Sequence, residues 1–168
     1  MKKSEQPIYR TITGRAIDLS KLTRDERPFI AHVVGFYKKS LEWSKFSGLW
    51  VKEFEKRSLE AKGIAYRICQ DLEARLGIAQ GKVAAPDYRD YLADLIDERY
   101  GSRYKFCKDT GIDPGHLSRI FASRSDLSLD ALVKLLHRLG AALVVQPEAD
   151  LKANASPEEA SRALAGLA

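Results

Sequence analysis

One stretch decides the fold of the second half of the chain, and it reads Phe106-Cys-Lys-Asp-Thr-Gly-Ile-Asp-Pro-Gly-His-Leu-Ser-Arg-Ile120. Gly111 allows the positive φ that ends a helix, and Asp113 is a good N-cap for the next helix. Pro114 suits the first helical position, where its missing N–H costs nothing. The stretch therefore predicts two short helices, over residues 103–110 and 114–122, joined by a tight turn.

Helical periodicity continues on both sides of this pair. An amphipathic helix over residues 88–100 precedes it, and a helix over residues 129–139, capped by Ser128, follows it. The run of residues 141–146 is rich in β-formers and predicts a short strand. The prediction is a four-helix domain with a C-terminal strand over residues 88–147. In this layout, that of a helix-turn-helix, the first turn of the third helix projects from the domain, as it must in a helix that enters the major groove of DNA.

Over about residues 88–140 the sequence resembles the Cro/C1-type, phage-repressor-like (XRE) helix-turn-helix family. The resemblance is carried by the stretch quoted above and by Leu129-Asp-Ala-Leu-Val-Lys-Leu-Leu-His-Arg-Leu-Gly140. Two positions depart from the family pattern, because Phe121 stands where Glu is frequent and Ser123 where Gly is usual. The resemblance implies a repressor-type regulator that places the helix 114–122 in the major groove of double-stranded DNA.

The resemblance also implies which side chains meet the DNA. The predicted base-contact positions are Pro114, Gly115, His116, Ser118 and Arg119. Arg119 is the best reader, because a guanidinium pairs bidentately with O6 and N7 of guanine. The predicted phosphate contacts are Ser102, Arg103, Lys105, Lys108 and Arg124. Residues 101–124 carry five basic side chains against two acidic ones, as a phosphate-facing surface would.

Residues 1–80 predict a helical module of unknown role, with dimerisation or partner binding as the two options, so the chain is predicted to be mainly α. A strand is predicted over residues 8–13 and helices over 23–39, 42–56 and 59–76, the last ended by Gly77. Thr23 and Glu26 have the spacing of a capping box. The second helix carries an aromatic stripe at helical spacing, which is interpreted as core or interface packing; its members are Trp43, Phe46, Trp50 and Phe54.

The linker and the C-terminal tail are predicted from their glycine, proline and apolar content. Residues 81–87 read as a linker, and residues 148–168 as a tail with one short helix and weak docking. The strand after the last helix has little sheet of its own to join. It would pair with a second copy of itself or with the N-terminal strand.

Composition excludes several other classes. The net charge is +5, which is compatible with a polyanionic partner. The two cysteines and three histidines lie far apart, so we predict no metal site, no cofactor and no enzyme activity. There is no apolar run for a signal peptide or a membrane span, and a cytoplasmic location is expected.

Two functional hypotheses remain open on the sequence. The first is a homodimeric, sequence-specific DNA-binding transcriptional regulator. The second is an antitoxin-type regulator whose main task is to bind a toxin or other protein partner, and which also binds its own operator. The order of a helix-turn-helix, a Leu-Gly pair and a short strand is similar to that of some antitoxins.

Overall fold

The structure is a computed structural model that describes residues 7–39, 41–61, 63–145, 147 and 156–167. These residues are mainly helical with a small two-stranded sheet, so the mainly-α prediction is confirmed. The chain forms two compact units: one comprises residues 1–85 together with 148–168, and the other residues 86–147. The second unit is thus inserted into the sequence of the first.

A β-hairpin opens the first unit. Strand β1 (Ile8–Arg10) pairs antiparallel with β2 (Ala16–Asp18), and Tyr9 lies opposite Ile17. The strand predicted over residues 8–13 is therefore confirmed only for its first three residues. The chain turns at Gly14, where φ is +85°, and returns as a second strand that the sequence pattern did not predict.

The described residues of this unit also form two short 3-10 helices, Leu19–Lys21 and Ala165–Leu167, and four α-helices. The α-helices are α1 (Glu26–Tyr37), α2 (Trp43–Lys56), α3 (Ile64–Ala79) and α8 (Pro157–Ala163), the last numbered after the four helices of the second unit. The predicted capping box before α1 is present, since Glu26 N donates to Thr23 Oγ1 at 3.3 Å and Thr23 N donates to Glu26 Oε2 at 2.9 Å.

Gly77 does not end α3, contrary to the prediction from sequence. A Cβ at this position would lie 2.5 Å from Val83 Cγ2 and 3.0 Å from Trp43 Nε1, so the absence of a side chain allows close packing inside the helix. The left-handed residue that follows α3 is Gly81, where φ is +66°. Lys82 N then donates to Gly77 O at 2.7 Å and closes the helix end.

The core of the first unit contains three of the four residues of the aromatic stripe of α2, while Trp43 is half-buried outside this core cluster. Phe46, Trp50 and Phe54 are all buried there, which confirms their interpretation as packing residues. The described part of the C-terminal tail, residues 156–167, belongs to the same core, because Leu164 after α8 is fully buried. The expected weak docking of the tail is therefore wrong.

A buried ion pair on α3 joins the separate segments of this unit. Arg75 Nε donates to Asp71 Oδ2 at 2.7 Å, and both side chains are almost inaccessible to water. Asp71 also accepts from Tyr9 Oη and from Ile12 N. The remaining guanidinium nitrogens of Arg75 donate to Arg10 O at 2.9 Å and Ser156 O at 3.4 Å, so the pair bonds the hairpin, α3 and the tail together.

The second unit contains the four helices that the sequence predicts. They are α4 (Tyr88–Tyr100), α5 (Arg103–Thr110), α6 (Pro114–Phe121) and α7 (Leu129–Arg138). A capping side chain accepts a hydrogen bond in the first turn of each, from Asp87, Ser102, Asp113 and Ser128 respectively. Their apolar faces meet in one core, formed by Leu92, Ile96, Phe106, Cys107, Leu117, Leu135 and Leu139.

The prediction of a strand over residues 141–146 is wrong for the residues that the structure describes. Residues 141–145 have no regular structure, and residue 146 lies outside the described residues. A strand requires a backbone partner, and none of the described segments pairs with this one. Leu143, Val144 and Val145 are consequently exposed, at 49%, 74% and 94%.

Candidate nucleic-acid interface

The turn between α5 and α6 is built by the residues that the sequence singles out. Gly111 has a φ of +73°, and its N–H donates to Cys107 O at 2.9 Å, which ends α5. The Asp113 carboxylate then accepts from His116 N at 2.6 Å and caps α6. Cap, glycine and proline together start the second helix after a connection of only three residues.

One face of α6 is exposed along its whole length. Leu117 and Ile120 are buried, whereas Gly115, Ser118 and Arg119 are exposed. At 100° per residue the three exposed positions lie side by side, directly opposite the buried pair. Four of the five predicted base-contact residues are exposed, the fourth being Pro114 at the helix start.

The fifth, His116, lies at the margin of this face. Its side chain is half-buried, and helical spacing places it about 100° from Gly115, on the side toward Ile120. Two positions that the sequence analysis did not select have high exposure. Ala122 follows Ser118 by four residues on the exposed face of α6, and Tyr104 in the first turn of α5 is 72% exposed. Helical spacing alone was a sufficient signal for both.

Arg119 and Gly115 form the centre of the exposed face. Within the part of the chain that the structure describes, the Arg119 side chain forms no hydrogen bond or ion pair. A Cβ built on Gly115 would lie 3.7 Å from Arg119 Nη1 and 3.1 Å from Asp113 Oδ2. The face thus offers bare backbone next to a guanidinium whose donors are available to a ligand.

The phosphate candidates on α5 do not form a single cluster. Ser102 Oγ accepts from Lys105 N at 3.3 Å, so this hydroxyl already acts as the helix cap. Arg103, Lys105 and Lys108 are exposed, but Lys105 lies two residues from Arg103 and therefore points to nearly the opposite side of the helix. Arg103 is the α5 cation that lies against α6, because its guanidinium sits 4.3 Å from the ring centroid of Phe121.

The loop after α6 keeps a glycine-like conformation without glycine. Ser123 has a φ of +55°, and its N–H donates to Ile120 O at 3.0 Å. Arg124 N donates to Arg119 O at 2.9 Å, which completes the helix end and leaves the Arg124 side chain exposed. The family that the sequence resembles usually has glycine at this position. Ser123 adopts the same left-handed conformation, at the cost of backbone strain.

A polar network attaches the far end of this loop to α4. Arg89 pairs with both Asp87 and Asp126. Tyr88 Oη donates to Asp126 Oδ1 at 3.3 Å, and the Arg89 guanidinium lies 4.7 Å from the centroid of the Tyr88 ring. These contacts link the segment between α6 and α7 to the first turn of α4, although the Asp126 side chain is mostly exposed.

The described residues offer little support for a metal site, a reactive cysteine or a membrane-spanning helix. They contain no group of side chains suited to hold a metal ion. Burial raises the pKa of the Cys69 and Cys107 thiols above the ordinary value, and neither sulfur is in a disulfide. No described helix has the length and apolar character needed to cross a membrane. Comparison with family models, with curated proteins and with solved structures gave no match.

Proposed function

We propose that this protein is a sequence-specific DNA-binding transcriptional regulator of repressor type, with α6 as the helix that enters the major groove. The observation that carries the proposal is the exposed face of α6, where Arg119 has no hydrogen-bond or ion-pair partner among the described residues and lies beside the bare backbone of Gly115. A groove-reading helix needs long donors at its outward positions and no bulk where its backbone approaches the bases.

Arg119 supplies the base contact in this proposal. Its guanidinium has donors spaced for O6 and N7 of one guanine, and a good bidentate pair is worth about 1–3 kcal/mol of discrimination. Ser118 adds a hydroxyl that donates or accepts, and Ala122 adds a methyl group of the kind that packs on thymine. His116 is a weaker candidate because its side chain is half-buried.

Cations around this face supply the contact with phosphates. Arg103 precedes α6 in the chain and lies against its C-terminal end, while Arg124 is exposed in the loop that follows it. Phosphate contacts fix the register of a protein on the duplex and carry no sequence information directly. Lys105 and Lys108 point elsewhere, and their contribution is long-range attraction.

The proposal includes a homodimer and a cytoplasmic location. Two copies related by a two-fold axis would read two half-sites about 10 base pairs apart, and the first unit is the proposed source of the dimer contact. Selection from random duplex DNA tests this, and we expect a short palindromic site. Binding without sequence preference would contradict the proposal.

Two alanine variants separate readout from charge. Arg119→Ala is expected to lose the preference at one base pair of each half-site, by about 5- to 150-fold. Lys134→Ala removes an exposed cation from α7 of the same unit and is expected to leave the preference intact. Far-UV circular dichroism shows whether both variants are folded. An unchanged preference in Arg119→Ala would contradict the assignment.

A second candidate function is an antitoxin-type regulator that also binds a protein partner. It is favoured by the exposed apolar run Leu143-Val144-Val145, which follows α7 and pairs with no strand in the described part of the chain. Co-expression with the product of the neighbouring gene tests it. A stable complex that is lost in Val144→Asp would favour this function, and purification without any complex would count against it.

A further inference from the structure

Phe121 has a feature that the base-reading role of α6 does not use. It is the last residue of the helix, and its ring packs half-buried against the core of the second unit. The Arg103 guanidinium lies 4.3 Å from the centroid of this ring. The contact joins the first residue of α5 to the last residue of α6, which are separated by the whole helix-turn-helix in sequence.

Arg103 lines a pocket together with Asp94 and Asp97, and its stacking on the Phe121 ring occupies none of the guanidinium donors. The N–H groups of a guanidinium lie in its plane, so an aromatic ring against one face attracts the cation without occupying a donor. A carboxylate in the same place would occupy two donors and neutralise the charge. The ring therefore orders a long and otherwise flexible side chain at little cost to its ability to bind a phosphate.

We propose that Phe121 is a positioning residue that holds the Arg103 guanidinium for a phosphate of the DNA backbone. The inference rests on the proposed function, since it assumes that this face binds DNA. It assigns to α6 a second task besides base readout: its last side chain orients the cation that fixes the duplex relative to the exposed face. Phe121 touches no base in this account, so its effect is the same on every DNA sequence.

The test is a double-mutant cycle measured with DNA. Arg103→Ala, Phe121→Leu and the double variant are titrated with the selected duplex and with a scrambled duplex, by fluorescence anisotropy at several salt concentrations. Phe121→Leu is expected to weaken both duplexes equally, by about two- to fivefold. Arg103→Ala is expected to reduce the slope of log K against log salt by about 1.

The pair should be coupled. Once Arg103 is alanine, Phe121→Leu is expected to have no further effect on affinity, and Phe121→Tyr, which keeps the ring, should bind like the wild type. Equal losses from Phe121→Leu in the presence and absence of Arg103 would overturn the inference, because the ring would then act on the fold alone. A change in the ratio between the two duplexes would also overturn it.

The failures of the two proposals are distinguishable. If the wild type prefers no sequence but the cycle is coupled on any duplex, the sequence-specific function fails and the positioning role stands. If the wild type prefers the selected duplex and the cycle is additive, the positioning role fails alone. If the protein binds no duplex, both are overturned.

Discussion

Replacing Asp71 with alanine removes the carboxylate around which the first unit is organised. In the folded protein this group accepts from Arg75 Nε at 2.7 Å, from Ile12 N at 2.6 Å and from Tyr9 Oη. The Arg75 guanidinium is only 2% exposed, so it would remain buried with its counter-charge gone. The hairpin and α3 would lose their shared acceptor at the same time.

The magnitude follows from burial. Removing one partner of a buried ion pair costs about 3–5 kcal/mol, because the other charge stays desolvated and unpaired. The chain offers a control in Glu53 on α2 and Arg57 at its C-cap, which have the same i,i+4 spacing, a distance of 3.8 Å and side-chain exposures of 22% and 37%. Glu53→Ala is expected to cost less than about 1 kcal/mol.

Urea unfolding followed by tryptophan fluorescence measures the difference. Both tryptophans, Trp43 and Trp50, lie on α2, so the signal reports the first unit and not the inserted one. With a slope of about 2 kcal/mol per molar urea, Asp71→Ala should lower the midpoint by about 2 M. A midpoint within about 0.5 M of that of Glu53→Ala would refute the reasoning.

Three further predictions test other parts of the structure. Burial, and then the Asp71 carboxylate, raise the pKa of Tyr9 above its ordinary value of 10, so stability of the first unit should fall as pH rises above about 10, by up to about 1.4 kcal/mol per pH unit. A slope in Tyr9→Phe equal to that of the wild type would contradict this. Ser123→Gly should stabilise the second unit by about 0.5 kcal/mol, because glycine adopts a φ of +55° without strain. Circular dichroism should show a higher melting midpoint, and a lower one would count against this prediction. Leu164→Ala should cost the first unit about 2–4 kcal/mol in urea, whereas Val51→Ala, at a position 37% exposed on α2 of the same unit, should cost less than about 1 kcal/mol. Equal costs would disprove the docking of the tail.

The second unit was largely predictable because its helix ends are encoded locally. Ser102 and Asp113 cap the helices they precede, and Gly101 and Gly111 adopt the left-handed conformation that ends the preceding helix. Local hydrogen bonds and backbone preferences therefore fix the boundaries before any tertiary contact is considered. The exposed face of α6 follows from the same periodicity.

Features that depend on a distant partner were not predictable in this way. Residues 141–145 have the composition of a strand, but a strand exists only where another backbone accepts it. Asp71 and Arg75 flank the apolar face of α3, and only the hairpin and the tail that cover them make them a buried pair. Gly77 resembled a helix end, yet Trp43 and Val83 pack against its backbone.

Phe121 illustrates the same limit within the candidate interface, whereas Tyr104 does not. The sequence marks Phe121 only as a departure from the family pattern, and its ring acquires a role because Arg103 stacks on it across the helix pair. Tyr104 lies outward in the first turn of α5, which helical spacing could have indicated. The positions of individual cations relative to one another could be known only from the folded structure.

The most direct test of the central claim is the contact between Arg119 and guanine. In the selected duplex each guanine of a half-site is replaced in turn by 7-deazaguanine, which lacks the N7 acceptor, and affinity is measured for the wild type and for Arg119→Ala. The account predicts one position at which the wild type loses about fivefold or more in affinity and the variant loses nothing. Equal sensitivity of the two proteins at every guanine would contradict it.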